Sequence, residues 1–328
     1  MKKISLELGS GGRLMRDFIA GSILPSFDNP ILGELSDSAL LPEGLAFTTD
    51  SYVVDPLFFP GGDIGMLAVN GTVNDLVVSG AVPRYLSLAL ILEEGLDGDA
   101  LGKILASVRR EARRAGVRIV TGDTKVVRQG QGDKIYINTA GLGTSIGRPA
   151  PDKIHPGDKV ILTGPLGDHS LAVLVARGDF GLRSKARSDC APLLFLLPLW
   201  KRGALWMRDI TRGGLATVLA ELAERLPHAI LIDESRIPLS RAVRGASEIL
   251  GIDPLFMACE GKAVVIAPAR RAAGFLRRMR EHPLGKRAAI IGEVQDELGK
   301  PGELLLRTVS GGLRLLEPLT SELLPRIC

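Results

Sequence analysis

Three prolines, Pro149, Pro151 and Pro156, sit between Gly147 and Gly157 near the middle of the 328-residue chain. No regular element runs through such a cluster, because proline lacks the backbone donor and fixes φ. The chain therefore reads as two halves, 1–150 and 151–316, with a closing segment 317–328. At roughly 100–200 residues per domain, both halves have the length to fold around a core. Strand and helix patterns alternate on each side of the break, which predicts an α/β (α+β) class.

In the first half, Leu45–Asp50 reads as a strand ending in Thr48-Thr49-Asp50, with a turn at Pro60-Gly61-Gly62-Asp63. Met66–Ala81 reads as a helix whose stripe Leu67, Asn70, Asn74, Val78 is interrupted by polar groups. Leu101, Ile104, Leu105, Val108 and Ala112 follow amphipathic-helix spacing, with Asp99 placed to cap it and Gly116 to close it. Val117–Thr121 reads as a buried strand from which Gly122-Asp123-Thr124-Lys125 hangs, and Ile135–Thr144 as another strand. In the second half, strands are predicted at 159–163, 229–233, 263–267 and 288–294, and helices at 215–226, 240–250 and 270–281. A hairpin is predicted over 304–316, turning at Ser310-Gly311-Gly312.

Composition excludes several functions. The 41 basic residues nearly balance the 37 acidic ones. The one dense basic run, Arg109-Arg110 with Arg113-Arg114, has no aromatic neighbours, so it reads as a solvated helix face and no nucleic-acid partner is expected. No apolar stretch follows Lys2 and Lys3, and the greasiest segment, Cys190–Trp200, is short and broken by Pro192 and Pro198. No signal peptide, no membrane span and a cytoplasmic location are expected. The three cysteines (190, 259, 328) and four histidines (155, 169, 228, 282) are scattered, which argues against a disulfide framework or a zinc site.

The common nucleotide signatures are missing: no Gly-Lys is followed by Ser or Thr, and there is no G-x-G-x-x-G. Acidic residues instead stand beside glycines or at strand ends, at Asp37, Asp50, Asp63, Asp75 and Asp123. Carboxylates there suit Mg²⁺, which takes one or two of them together with phosphate oxygens. Lys125 follows Asp123 closely and suits a phosphate. Gly9, Gly11 and Gly12 form a loop whose N–H groups could cover phosphates. Cys328 ends the chain on a proline-containing tail, and from Glu317 the tail reaches up to about 40 Å at ~3.3 Å per residue.

The stretches TTDSYVVDPLFFPGGDIG, NGTVNDLVVSGAVPRYLS, VTGDTKVV, TGPLGDHS, RDITRGGL, CEGK and the terminal PRIC together resemble the HypE family of hydrogenase maturation factors, from about Leu8 to Cys328. That family belongs to the superfamily of aminoimidazole ribonucleotide synthetase. The resemblance implies a two-domain aminoimidazole ribonucleotide synthetase-like fold, with N-terminal domains pairing into a β-barrel in a homodimer and a flexible C-terminal tail. It implies ATP and Mg²⁺ as cofactors, a HypF carbamoyltransferase and a HypC–HypD complex as partners, and a chemistry in which S-carbamoyl on Cys328 is dehydrated to S-cyanide. Carried onto this chain, nucleotide-binding positions fall at Gly11, Gly12, Asp37, Thr49, Asp50, Gly62, Asp63, Asn74, Asp75, Asp123 and Lys125, and metal ligands at Asp37, Asp50, Asp75 and Asp123. Asp37 lacks the second acid that many relatives carry beside it.

Dehydrating a thiocarbamate needs its oxygen turned into a better leaving group, which phosphorylation by ATP accomplishes. Lys125 would then steady the transferring phosphoryl group beside Asp75, and a base must take the N–H proton. Glu260, His169 and a first-half carboxylate all stand as candidates. Two rival readings remain: an ATP-dependent kinase or synthetase acting on a free small molecule, and a non-enzymatic carrier presenting Cys328.

Overall fold

The computed structural model describes residues 4, 5, 8, 11–27, 29–320, 324 and 326–328. The Gly9 part of the expected N-terminal loop lies outside the described residues. The strands are β1 (Ala39–Leu41), β2 (Leu45–Tyr52), β3 (Phe58–Phe59), β4 (Gly62–Asp63), β5 (Ala81–Glu93), β6 (Arg118–Val127), β7 (Ile135–Ser145), β8 (Lys159–Leu162), β9 (Trp206–Asp209), β10 (Ala229–Asp233), β11 (Ala263–Ala267), β12 (Ala289–Gln295), β13 (Leu304–Arg307) and β14 (Leu313–Leu316). Among the described residues they form a five-stranded sheet, β1-β2-β7-β5-β6, a seven-stranded sheet, β14-β13-β10-β12-β8-β11-β9, and the small β3–β4 hairpin. Pairing is antiparallel except for β5 with β6 and β10 with β13, so the α/β expectation resolves into two mixed sheets.

The helix Ile64–Val78 joins the two halves. The Asp63 carboxylate caps it, accepting from Met66 N–H at 3.0 Å. Every residue of this helix except Asp75 is buried. A helix enclosed on all sides cannot show an amphipathic stripe. Its Leu76 packs with Ala46 and Ala81 of the first sheet, while Val69, Val73 and Val77 pack with Leu193, Trp200 and Phe275 of the second half. The second sheet is a central layer. One face meets the helix Gly214–Ala223 through Leu162, Ile230 and Val264, and the other meets the helix Ala269–Arg280 through Ile161 and Val265.

Several sequence expectations change. Val117–Thr121 is not a buried strand ending in a loop. Residues 118–127 form one edge strand, β6, exposed along nearly its whole length and hydrogen-bonded only to β5. Its apolar residues suggested burial, but among the described residues no strand pairs with its outer edge. Asp97 rather than Asp99 caps the helix Gly98–Ala115. Strands β5 and β9 and the helices Gly12–Phe18 and Asp168–Arg177 had no counterpart in the sequence reading.

The end of the chain, expected to swing freely, is anchored. Ile327 is buried with Val54, Leu57, Phe59 and Val173, and Cys328 packs at the edge of the same cluster. Earlier in the segment, Leu319 and Thr320 carbonyls accept from Arg13 N–H (2.7 Å) and Leu14 N–H (3.2 Å), which ties the closing segment to the helix Gly12–Phe18.

Candidate functional site

Between the two sheets opens a cleft of about 710 Å³. Strand β2 supplies Thr49 and Asp50, the buried helix supplies Asp75, and the end of β9 supplies Arg208 and Asp209. Glu260, Arg212, the turn Gly11-Gly12 and Cys328 complete the wall.

The cleft is an acidic cluster taken out of water. Burial raises the Asp75 carboxyl well above its usual range, and Asp50, Asp209 and Asp37 add repulsion. Asp209 is raised by burial and then by Asp37 and Asp50. Glu260 is raised by burial, then by Asp209 and Asp189. The Thr48 hydroxyl stands 2.8 Å from Asp75 Oδ2, and the Tyr52 hydroxyl donates to Asp50 at 3.1 Å. Tyr52 reaches past the helix because residue 71 is glycine; a Cβ there would lie 2.2 Å from the Tyr52 oxygen. The Glu260 main chain is pinned by Asp189 (3.1 Å) and Asn74 (3.3 Å), while its Oε1 has no hydrogen-bond partner among the described residues. A buried polar atom aimed into a cleft without a partner is poised for a ligand.

The residues expected from the sequence divide. Gly11, Gly12, Asp37, Thr49, Asp50, Asp75, Glu260 and Cys328 all line the cleft. Gly62, Asp63 and Asn74 do not. Asp63 is consumed as a helix cap and by the Ser107 hydroxyl, and Asn74 bonds the Ala191, Glu260 and Leu193 main chain in the buried seam between the halves. Asp123 and Lys125 lie on exposed β6, paired with each other at 2.8 Å, and do not line this cleft. Asp37 is paired with Arg208 at 2.9 Å, and Arg208 also grips Glu221 at 2.8 Å, so one guanidinium serves two acids of this wall.

His169 is fully buried and contacts the main chain of residue 327. Its Nε2 faces the Ile327 carbonyl at 2.8 Å, which can only accept, so Nε2 carries the proton. Its Nδ1 accepts from Ser188, whose oxygen accepts from Cys190 N–H at 3.1 Å. Burial keeps the ring neutral by lowering its pKa. Its lone pair points at Ser188, so it is not a base for the cleft.

Arg208, Asp209, Arg212 and Glu221 had not been assigned as site residues. They lie within or after the run RDITRGGL, where the only signal was two arginines and an acid around a glycine turn. Asp50, Asp75 and Asp209 share this wall, and a divalent cation among them would offset the repulsion that, after burial, raises Asp75 and Asp209. Among the described residues no three or more His, Cys, Asp or Glu side chains come together into a cage that could hold a metal ion. Mg²⁺ needs no such cage, since phosphate oxygens and water fill its shell.

Residues 35–145 match the N-terminal domain of AIR synthase related protein, and residues 155–300 match its C-terminal domain. The chain is 46% identical over 337 residues to the carbamoyl dehydratase HypE of Rhodobacter capsulatus, covering 100% of this chain and 98% of that one. It is similar to the crystal structure of hydrogenase maturation protein HypE in complex with ATP, with 47% identity, a TM-score of 0.83, and 99% and 100% of the two chains covered. It is also similar to a chain in the crystal structure of a HypE–HypF complex, with 41% identity, a TM-score of 0.87, and 92% and 99% covered.

Proposed function

Because this chain belongs to the HypE family of AIR synthase-related proteins, we propose that it is an ATP-using carbamoyl dehydratase whose substrate is its own S-carbamoylated Cys328. The observation that carries this reading is the meeting of Cys328 with Glu260, Asp50, Asp75 and Asp209 in one cleft. A carrier that only displayed Cys328 would not need its end seated among buried acids, and a kinase of free small molecules would not need the thiol there.

The chemistry balances as follows. The thiocarbamate oxygen takes the γ-phosphoryl group and leaves as phosphate. Both N–H protons are lost, one to Glu260 and one with the departing phosphate, and the carbon–nitrogen bond becomes triple. Asp50, Asp75 and Asp209 would hold Mg²⁺, which neutralises triphosphate charge. Glu260 receives a proton from nitrogen. Its carboxyl is raised by burial and then by Asp209 and Asp189, so the ionised group binds a proton more tightly than a free carboxylate does. Arg212 lines the same wall and suits phosphate oxygens. The turn Gly11-Gly12 would lay its N–H groups over the phosphates.

Lys125 and Asp123, which do not line the cleft of their own chain, are proposed to serve the cleft of a second copy. Supporting this are the uncovered β6 edge and the exposed Phe47, Tyr85, Ile91 and Val126 of the first sheet, which suit a homodimer closing that face. A HypF-type carbamoyltransferase is proposed to load Cys328, and a HypC–HypD complex to accept its cyanide for the hydrogenase iron.

The test is mass spectrometry of the C-terminal peptide. Carbamoylated protein given ATP and Mg²⁺ is expected to lose the mass of one water at Cys328, and Cys328→Ala to bind ATP with no such change. ATP consumption with an unchanged carbamoyl mass would refute the dehydration.

A further inference from the structure

The last residues meet the protein body through contacts more specific than packing. Val53 N–H donates to the Cys328 main-chain oxygen (3.1 Å) and Asp55 N–H to the Arg326 carbonyl (3.3 Å), so the end lies antiparallel along residues 53–55. His169 donates Nε2–H to the intervening Ile327 carbonyl. Arg177 ties the two strands by donating to the Asp55 carbonyl (2.6 Å) and the Arg326 carbonyl (2.5 Å). The Arg326 side chain answers by bonding the Val53 carbonyl (2.9 Å) and Asp133 (2.5 Å). The Ile327 side chain fills an apolar socket and is 1% exposed.

Three successive main-chain oxygens, one apolar anchor and one cationic side chain are each met by a dedicated partner. This is how short peptides are read when added to an extended edge: main-chain bonds give affinity and a side-chain socket gives register. His169 and Arg177 both belong to the helix Asp168–Arg177, at opposite ends, so one rigid element measures the terminal residues. We propose that residues 53–55, His169 and Arg177 form a peptide-recognition groove for an Arg-Ile-Cys chain end, and that His169 and Arg177 are positioning residues fixing the depth at which the Cys328 sulfur enters the cleft. The proposal deepens the reading of Cys328 as the reactive residue, yet the groove is testable without the reaction.

The experiment is the rate of Cys328 alkylation by N-ethylmaleimide in the full chain without nucleotide, read on the C-terminal peptide. Cys190 and Cys259 are buried and serve as internal controls for folding. Ile327→Asp and Arg177→Ala are expected to speed Cys328 alkylation about 10–100-fold, since hydrogen bonds from a charged donor are worth that factor. His169→Gln keeps an N–H donor near the Nε2 position and is expected to stay within about threefold of the parent, whereas His169→Phe is expected to speed alkylation like Arg177→Ala. In the unaltered protein, millimolar Leu-Pro-Arg-Ile-Ser peptide is expected to speed alkylation by displacing the tethered end, whose effective concentration is also millimolar. The same peptide with Asp in place of Ile is expected to do nothing. Equal rates in all variants, with no effect of either peptide, would overturn the groove. Dehydration measured on the same samples separates the two ideas. Altered alkylation without any dehydration in the parent sinks the reaction and leaves the groove, whereas dehydration with unaltered alkylation sinks the groove and leaves the reaction.

Discussion

Asp75 is a polar residue on a helix that otherwise avoids water, and its carboxyl is raised by burial and by three neighbouring acids. Its charge is therefore costly until a cation arrives. Asp75→Asn is expected to stabilise the nucleotide-free protein, at about 2–4 °C of Tm per kcal/mol of repulsion removed, while abolishing ATP-dependent turnover. Calorimetry paired with a turnover assay checks this, and a lower Tm would contradict the repulsion. Glu260→Gln keeps the side-chain shape and loses the base. Dehydration is expected to slow by about 10²–10⁴ with ATP binding retained, and an unchanged single-turnover rate would assign the proton to another group. The sequence reading named Asp75 as a metal ligand and left Glu260 as one of several candidate bases. Nothing in the sequence distinguishes Asp75 from Asp63, since each precedes or sits in the same helix, yet one opens on the cleft and the other is spent as a cap.

At the level of elements, the legible parts were those whose own period or apolar run stands in the local sequence. The helices 98–115 and 269–280 and strands β2, β7, β10 and β11 show their period or their apolar runs directly. The helix 64–78 was legible as a helix but not as the shared core of both halves, because burial on all sides erases the stripe that shows orientation. Strand β6 misled for the opposite reason: its apolar run is exposed, and among the described residues no strand pairs with its outer edge. The sequence singled out the closing segment by its terminal cysteine, whereas its seating depends on contacts from residues 53–55, 169 and 177, which no local pattern reveals. One local crossing is separately testable. Gly12 has φ +75° and a Cβ there would stand 2.3 Å from the Leu319 carbonyl. Gly12→Ala is expected to cost about 1–3 kcal/mol and to loosen the tie between the helix 12–18 and the closing segment. Hydrogen exchange at Arg13 and Leu14 reads this directly, and unchanged protection would contradict it.

For the whole molecule, the two sheets meet so that acids from both halves share one cavity, which sets a pH signature. Asp75, Asp209 and Glu260 are all raised in the fold. A carboxyl whose folded pKa exceeds its unfolded value of about 4 binds its proton more tightly when folded. The stability it contributes is complete below that value and is lost as pH rises through the folded pKa. The nucleotide-free protein is therefore expected to lose Tm on going from acidic to neutral pH more steeply than Asp75→Asn does, and Mg²⁺ with ATP to flatten the slope. Identical slopes would contradict shared repulsion. The proposed homodimer makes a further demand at this scale. Asp75→Asn and Lys125→Ala chains, each inactive alone, are expected to recover turnover when mixed, because one cleft of the mixed dimer is intact. Failure to recover would contradict the sharing of Lys125 with the cleft of a second copy.

The most direct measurement is a crystal structure of the S-carbamoylated chain with a non-hydrolysable ATP analogue and Mg²⁺. The expected result is the thiocarbamate oxygen about 3–3.5 Å from the γ-phosphorus, with Glu260 beside the nitrogen. A triphosphate bound where no Cys328, from the same chain or a second copy, comes within reach of its γ-phosphate would contradict self-dehydration outright.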